Sequence, residues 1–191
     1  MKKSKKEAAE TRKRIVETAA AEFRQHGIEG IGLADLMASA GLTHGGFYKH
    51  FQSKEQLVEE ALAVASTSTV QEMNEVLSGA PGLRGLHEMI GWYLSSEHRD
   101  NAACGCPLAA LGSEMARSGE GVRETTTAGF LKMVDGIASN LEGHSPAAAK
   151  KVAIFIASTM IGAVTMARIV NDPELSATIL REAKKRLTQL A

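Results

Sequence analysis

Apolar residues in this chain recur at helical spacing almost from end to end, and no useful run alternates with the period of a strand. Ile15, Val16, Ala19, Ala20 and Phe23 make one stripe at i, i+1, i+4, i+5 and i+8. Ser4 with Glu7 predicts a capping box at the start of that helix, and Gly27 predicts its end. Leu33, Leu36, Met37 and Ala40 mark a second, short helix stopped by Gly41. Thr43 is the N-cap expected for a third, with Phe47 and Phe51 four residues apart. Ser53 and Gln56 form a further capping box that opens a long helix from Lys54 into the seventies.

Ser78-Gly79-Ala80-Pro81-Gly82 reads as a linker. Beyond it, Ser145-Pro146, Asp172-Pro173 and Cys106-Pro107 each place proline after a candidate cap, the preferred first helical position. Helices are expected near 83–98, 107–117, 121–142, 146–170 and 173–189. The class is all-α, with an N-terminal domain over 1–54, a larger helical domain over 55–191, and helix 54–77 connecting them.

The chain has 191 residues and 44% hydrophobic content, ample for a buried core. No apolar run approaches the 18 or more residues of a membrane span, and no apolar signal core follows the basic N-terminus. The expected location is cytoplasmic, with no membrane partner. Net charge is zero, but it is unevenly spread. Residues 1–54 hold ten basic side chains against six acidic ones, leaving twelve against sixteen in the rest. A basic first quarter on an acidic remainder suggests an anion-binding module attached to something else. No acid pair, nucleophile–base set or phosphate loop points to catalysis, so no enzyme and no cofactor are expected. His87, His98 and His144 are scattered without metal spacing, and Cys104-Gly105-Cys106 is a weak zinc signal, so no metal is expected.

The stretch GLTHGGFYKHFQSKEQL, residues 41–57, carries the function. Two short helices joined by Gly41-Leu42 make a helix-turn-helix, whose second helix lies in the major groove of DNA. Phe47 and Phe51 should bury against Phe23 and Leu36, leaving His44, Gly45, Tyr48 and Lys49 on the opposite face. Gly45 and Gly46 each cost roughly 1 kcal/mol in a helix interior, less near an end. Their gain is close approach: backbone amides at the start of the helix, and Thr43, reach phosphate oxygens without a steric buffer.

Arg12 to Gly27 and Leu33 to Leu57 resemble the DNA-binding domain of the TetR family of transcriptional regulators. The resemblance rests on Ile15, Ala19, Ala20, Phe23, Gly27, Gly41, Tyr48, Phe51, Ser53, Lys54 and Leu57. It implies a homodimer that binds a palindromic double-stranded DNA operator, most often as a repressor. It also implies a larger helical domain that binds an inducer and dimerises through its last two helices. Carried over by position, Thr43, Gly45, Gly46, Tyr48, Lys49 and His50 face DNA, Lys54 meets a phosphate, and Arg12 and Arg14 approach the backbone or minor groove. Gly32 and Leu33 stand where the family often has a phosphate-binding threonine.

In the larger domain, Met89, Trp92, Tyr93, Met115, Phe130 and Met133 are candidate walls of a pocket for a small-molecule or electrophile inducer. Phe155, Thr159, Ala163, Met166, Ile179 and Leu187 lie on the apolar faces expected to form the dimer. Cys106, at the expected N-cap before Pro107, would have a thiol of lowered pKa suited to redox or electrophile sensing, with Cys104 as resolving partner. The segment CGCPLAALGSEM resembles the equivalent segment of electrophile-responsive TetR-like repressors. Alternatives are an activator of the same fold and a thiol redox protein using Cys104 and Cys106.

Overall fold

The computed structural model describes residues 5–190, and all regular structure among them is helical. The order is α1 (Lys5–His26), α2 (Leu33–Ser39), a 3₁₀ helix (His44–Lys49), α3 (Lys54–Ser78), α4 (Gly82–Tyr93), α5 (Ser96–Asp100), α6 (Pro107–Met115), α7 (Glu120–Ala138), α8 (Pro146–Ile169) and α9 (Pro173–Leu190). The Ser4 cap lies outside the described residues.

Two apolar clusters organise the chain. The first gathers the α1 stripe, Leu36 and Met37 of α2, Phe47, Phe51 and the first half of α3, and reaches Leu111, Met115 and Val122. The second holds the far end of α3 at Met73 and Leu77 with α4, α7, α8 and Leu180 and Leu187 of α9. Helix α3 is therefore one rod with its ends in different clusters.

Local chemistry sets the joints. Gly27 (φ 86°) and Gly41 (φ 71°) end α1 and α2 in the left-handed region that only glycine enters cheaply. The Leu42 amide reaches back to the Met37 carbonyl at 2.8 Å, the long bond of a Schellman motif. Ser53 Oγ accepts from the Gln56 amide at 3.1 Å, while the Gln56 side chain accepts from the Gln52 amide, one residue earlier than in a standard capping box.

Two expectations change. The segment expected as one helix over 83–98 breaks at Leu94, because Ser95 caps a new short helix by accepting from the His98 amide at 3.1 Å. Helix α8 is long and apolar enough to cross a membrane by length and composition, against the expectation that nothing approached this. One of its faces packs into the body through Ala149, Ala153, Ile156, Ala157, Met160 and Val164.

Candidate nucleic-acid interface

The expected two-turn third helix is a six-residue 3₁₀ helix. Paired glycines weaken the α conformation there, and the tighter coil is common in such short pieces. It is held from behind: Phe47 and Phe51 are 0% and 2% exposed, stacked at 5.4 Å between ring centres, and share a cluster with Phe23 and Leu36. Its outer face exposes Thr43, His44, Gly45, Tyr48 and Lys49, with Tyr48 66% exposed. Thr43 caps through its backbone alone and makes no side-chain cap bond.

Gly45 decides how this face is read. A Cβ built there meets no atom within 4 Å, and its backbone lies outside the left-handed region. Nothing among the described residues therefore requires glycine. Gly46 makes only ordinary contacts, with Met37 and Thr43. The freed space lies on the outside, where an approaching surface would use it.

The cations divide. Arg14 and Lys49 are exposed. Lys54 was expected on a phosphate, but its Nζ donates to the Ile28 carbonyl at 2.6 Å and to the Ile31 carbonyl at 3.3 Å. It ties α3 to the loop after α1. Arg12 is also held internally, forked onto Glu60 with Nη2 at 2.6 Å from Oε1, and set 4.5 Å over the Phe51 ring. Its Nε donates to the His50 carbonyl, so the half-buried His50 belongs to this brace through its backbone. Gly32 opens α2 without a side-chain cap.

Helix α6 joins this unit to the body at both of its ends, a feature that no sequence motif announced. Glu114 Oε2 accepts from the amides of Ile28 and Glu29 at 2.8 and 3.1 Å. At the other end, Arg24 Nη1 of α1 donates to the Gly105 carbonyl at 2.9 Å. A cleft of about 300 Å³ lies beside the Glu114 tie, floored by Ile28, Val58 and Val122 and rimmed by Lys54, Glu55 and Arg117.

Of the residues expected to wall one inducer pocket, five gather in or against one cluster, with Trp92 and Phe130 packed on the core that holds Met89, Tyr93 and Met133, and Met115 lies outside it. Met89, Tyr93 and Met133 are closed into the body core, and Met115 belongs to the first cluster. Trp92 stacks on His98, and Phe130 lines an open groove with Leu108, Gly112, Ile161 and Gly162. The dimer candidates also separate. Phe155 and Met166 are 55% and 48% exposed, and Thr159 and Ile179 are half-buried, but Ala163 and Leu187 are internal to the body. Helical spacing cannot distinguish a face that meets its own core from one that meets another molecule.

Cys106 is the N-cap of α6, as expected, but it is buried, and Cys104 is the exposed thiol. Burial raises the Cys106 thiol above its ordinary range, although the Tyr93 hydroxyl and the Ala109 and Leu108 amides pull the other way. The expected accessible, low-pKa thiol is thus corrected: desolvation outweighs the helix end. Among the described residues no group of His, Cys, Asp and Glu is arranged to hold a metal ion.

Known proteins match in two blocks. Residues 15–61 match the family described as bacterial regulatory proteins, tetR family, and residues 83–184 match the LmrA/YxaF-like transcriptional regulator C-terminal domain. A protein of Escherichia coli K12 named as the probable acrEF/envCD operon repressor is 44% identical over 59 residues, covering 31% of this chain. The chain spans only 27% of that relative's length. An uncharacterized helix-turn-helix-type transcriptional regulator of Mycobacterium tuberculosis is 27% identical over 169 residues, 84% of this chain and 86% of its own. The crystal structure of a TetR transcriptional regulator from Chloroflexus aurantiacus superposes with a TM-score of 0.80 at 27% identity, covering 96% of this chain and 95% of that one.

Proposed function

Because this chain belongs to the TetR family of bacterial transcriptional regulators, we propose that it is a cytoplasmic, ligand-responsive repressor that binds a palindromic operator as a homodimer. The observation that carries the reading is the outward face of residues 43–49, where Gly45 leaves room for a phosphate backbone. Thr43, the amides that open the 3₁₀ helix, Tyr48 and Lys49 would hold phosphates, with His44 beside them and Arg14 nearby. Few side chains there can reach base edges, so shape readout should supply much of the specificity.

Footprinting the purified protein on the DNA flanking its own gene tests this directly. A protected palindrome supports the reading, and no protection at low salt removes it. Lys49→Ala should weaken binding and flatten the salt dependence by about 0.9 per protomer, the share of one neutralised phosphate. Lys54→Ala should instead lower thermal stability, because its partners are carbonyls of the protein.

The dimer reading rests on the apolar side chains left exposed along α8, namely Ile154, Phe155, Met166 and Ile169. Phe155→Arg should yield well-folded monomers by light scattering, since an unpaired charge in an interface is strongly disfavoured. An intact dimer would place the interface elsewhere. Ala163→Arg is a poorer probe, because Ala163 is already 92% enclosed by its own chain, its exposure being 8%.

The inducer we favour is non-covalent, acting on the body and reaching the reading unit through α6. A thiol-responsive version rests on Cys106 and on the donors turned toward its sulfur, but burial opposes thiolate formation there. The remaining alternative of the same fold is an activator, which transcription from the flanking promoter with and without the protein would reveal.

A further inference from the structure

His98 sits where the body meets the Gly105–Cys106 turn, and its two ring nitrogens have fixed and opposite tasks. Nδ1 lies 2.6 Å from the Tyr93 carbonyl, which only accepts. Nε2 lies 3.0 Å from the Cys106 amide, which only donates. One state satisfies both: the neutral ring with its proton on Nδ1. The ring is 8% exposed, stacked on Trp92 at 5.6 Å and edge-on to Tyr93 at 4.5 Å. Gly105 packs so tightly against it that a Cβ there would lie 3.0 Å from His98 Nε2 and 3.0 Å from Arg168 Nη2.

Among the described residues, the charged and titratable groups near the ring come from α1, α4, α5, α8 and the turn, which also carries the exposed Cys104. Arg168 of α8 donates to the His98 and Arg99 carbonyls at 2.9 Å each, and its Nη1 has no partner among the described residues. Its charge opposes a second cation. Tyr93 of α4 and Cys106 of α6 are buried, and burial raises the pKa of both, so both stay neutral. On α5 itself, Arg99 and Asp100 pair with each other at the surface, and Glu97 is exposed. Arg24 of α1 touches the turn through the Gly105 carbonyl. Among the described residues no carboxylate is hydrogen-bonded to the ring to stabilise an imidazolium.

We propose that His98 is a proton-operated latch: protonation at Nε2 sets an N–H against the Cys106 amide, loosens the Gly105–Cys106 turn and releases Arg24, so that the reading unit loses its fixed angle to the body. The proton is then a regulatory ligand in its own right. The regulatory half of this inference rests on the DNA-binding reading above, but the latch itself does not. Burial chiefly, with Arg168, holds the ring's pKa below its ordinary value. The neutral latch is therefore fully formed above about pH 6.5, and it is lost as the pH falls through the folded-state value below that.

Trp92 is the only tryptophan in the chain and lies on the ring, so its emission reports the proton directly. The experiment titrates the full-length protein from pH 7.5 down to the onset of acid unfolding, followed by circular dichroism, reading Trp92 emission and affinity for a labelled duplex of the DNA flanking its own gene. The expected result is one emission transition below pH 6.5 and an affinity loss of at least tenfold over the same interval. His98→Gln, whose amide oxygen can still accept from Cys106, should bind as wild type at pH 7.5 and lose both responses. A flat Trp92 signal in wild type overturns the latch, as does His98→Gln titrating like wild type. If His98→Gln does not fold, ¹⁵N spectra of the wild-type imidazole decide: a protonated Nε2 at pH 7.5 overturns the latch, and a bare one that gains its proton with the Trp92 transition supports it. Binding that persists through the Trp92 transition overturns the coupling. DNA binding absent at every pH instead strikes the regulator reading.

Discussion

Gly45→Val is expected to lower operator affinity at least a hundredfold while leaving thermal unfolding within a few degrees of wild type. The two outcomes separate because a Cβ at Gly45 meets nothing in the free protein. In the proposed docking, the added branched side chain would stand where the duplex backbone comes. Each protomer would lose amide–phosphate hydrogen bonds, and bonds to charged groups contribute about 1.5–3 kcal/mol each. A two-fold complex loses them twice. Fluorescence anisotropy against the flanking DNA, with a melting curve on the same sample, checks both halves. Normal binding would show that the glycines do not mark the contact surface.

Phe47→Ala is expected to have the larger effect on the fold. The side chain is fully buried, stacked on Phe51 and packed in the cluster that joins α1, α2 and α3. Truncating a buried phenylalanine costs about 3–5 kcal/mol. That is a large share of the roughly 5–15 kcal/mol that keeps a domain folded. Urea titration should show a first transition shifted to low denaturant, and DNA binding should be lost with it. A midpoint unchanged from wild type would mean that the 3₁₀ helix is not pinned by this ring.

Residue pattern revealed most of the architecture because helices announce themselves locally. The α1 stripe, Gly27, Gly41, the Ser53 cap and the Pro146 and Pro173 starts all act within a few residues of their own position. The break at Ser95 was missed, although serine before Ser96-Glu97-His98 is itself a capping signal. What stayed hidden depends on distant partners. Lys54 looks like any surface lysine until the fold brings the Ile28 and Ile31 carbonyls to it. Cys106 sits at a helix start, as read, but its burial comes from elements far away in sequence, and burial reverses the sign of the expected shift. The candidate pocket residues meet the same limit, because Met89, Tyr93 and Met133 are closed into one core with Trp92 and Phe130 against it, while Met115 belongs to the other.

Helix α6 is only nine residues long, about 13 Å from end to end, yet both its ends are fastened to the segment that carries α1. Beside the continuous α3 and the packing of Leu111 and Met115, two fastenings set apart hold an angle, as two screws hold a plate more firmly than one. If the Gly105 fastening opens, the Glu114 tie and the Leu111 and Met115 packing beside it remain as the pivot. The arc swept by any point then grows with its distance from that pivot, so a small slip at the joint is magnified at the tip that carries Tyr48 and Lys49. In a symmetric pair the two tips swing together, and the span between them changes by up to twice the single arc.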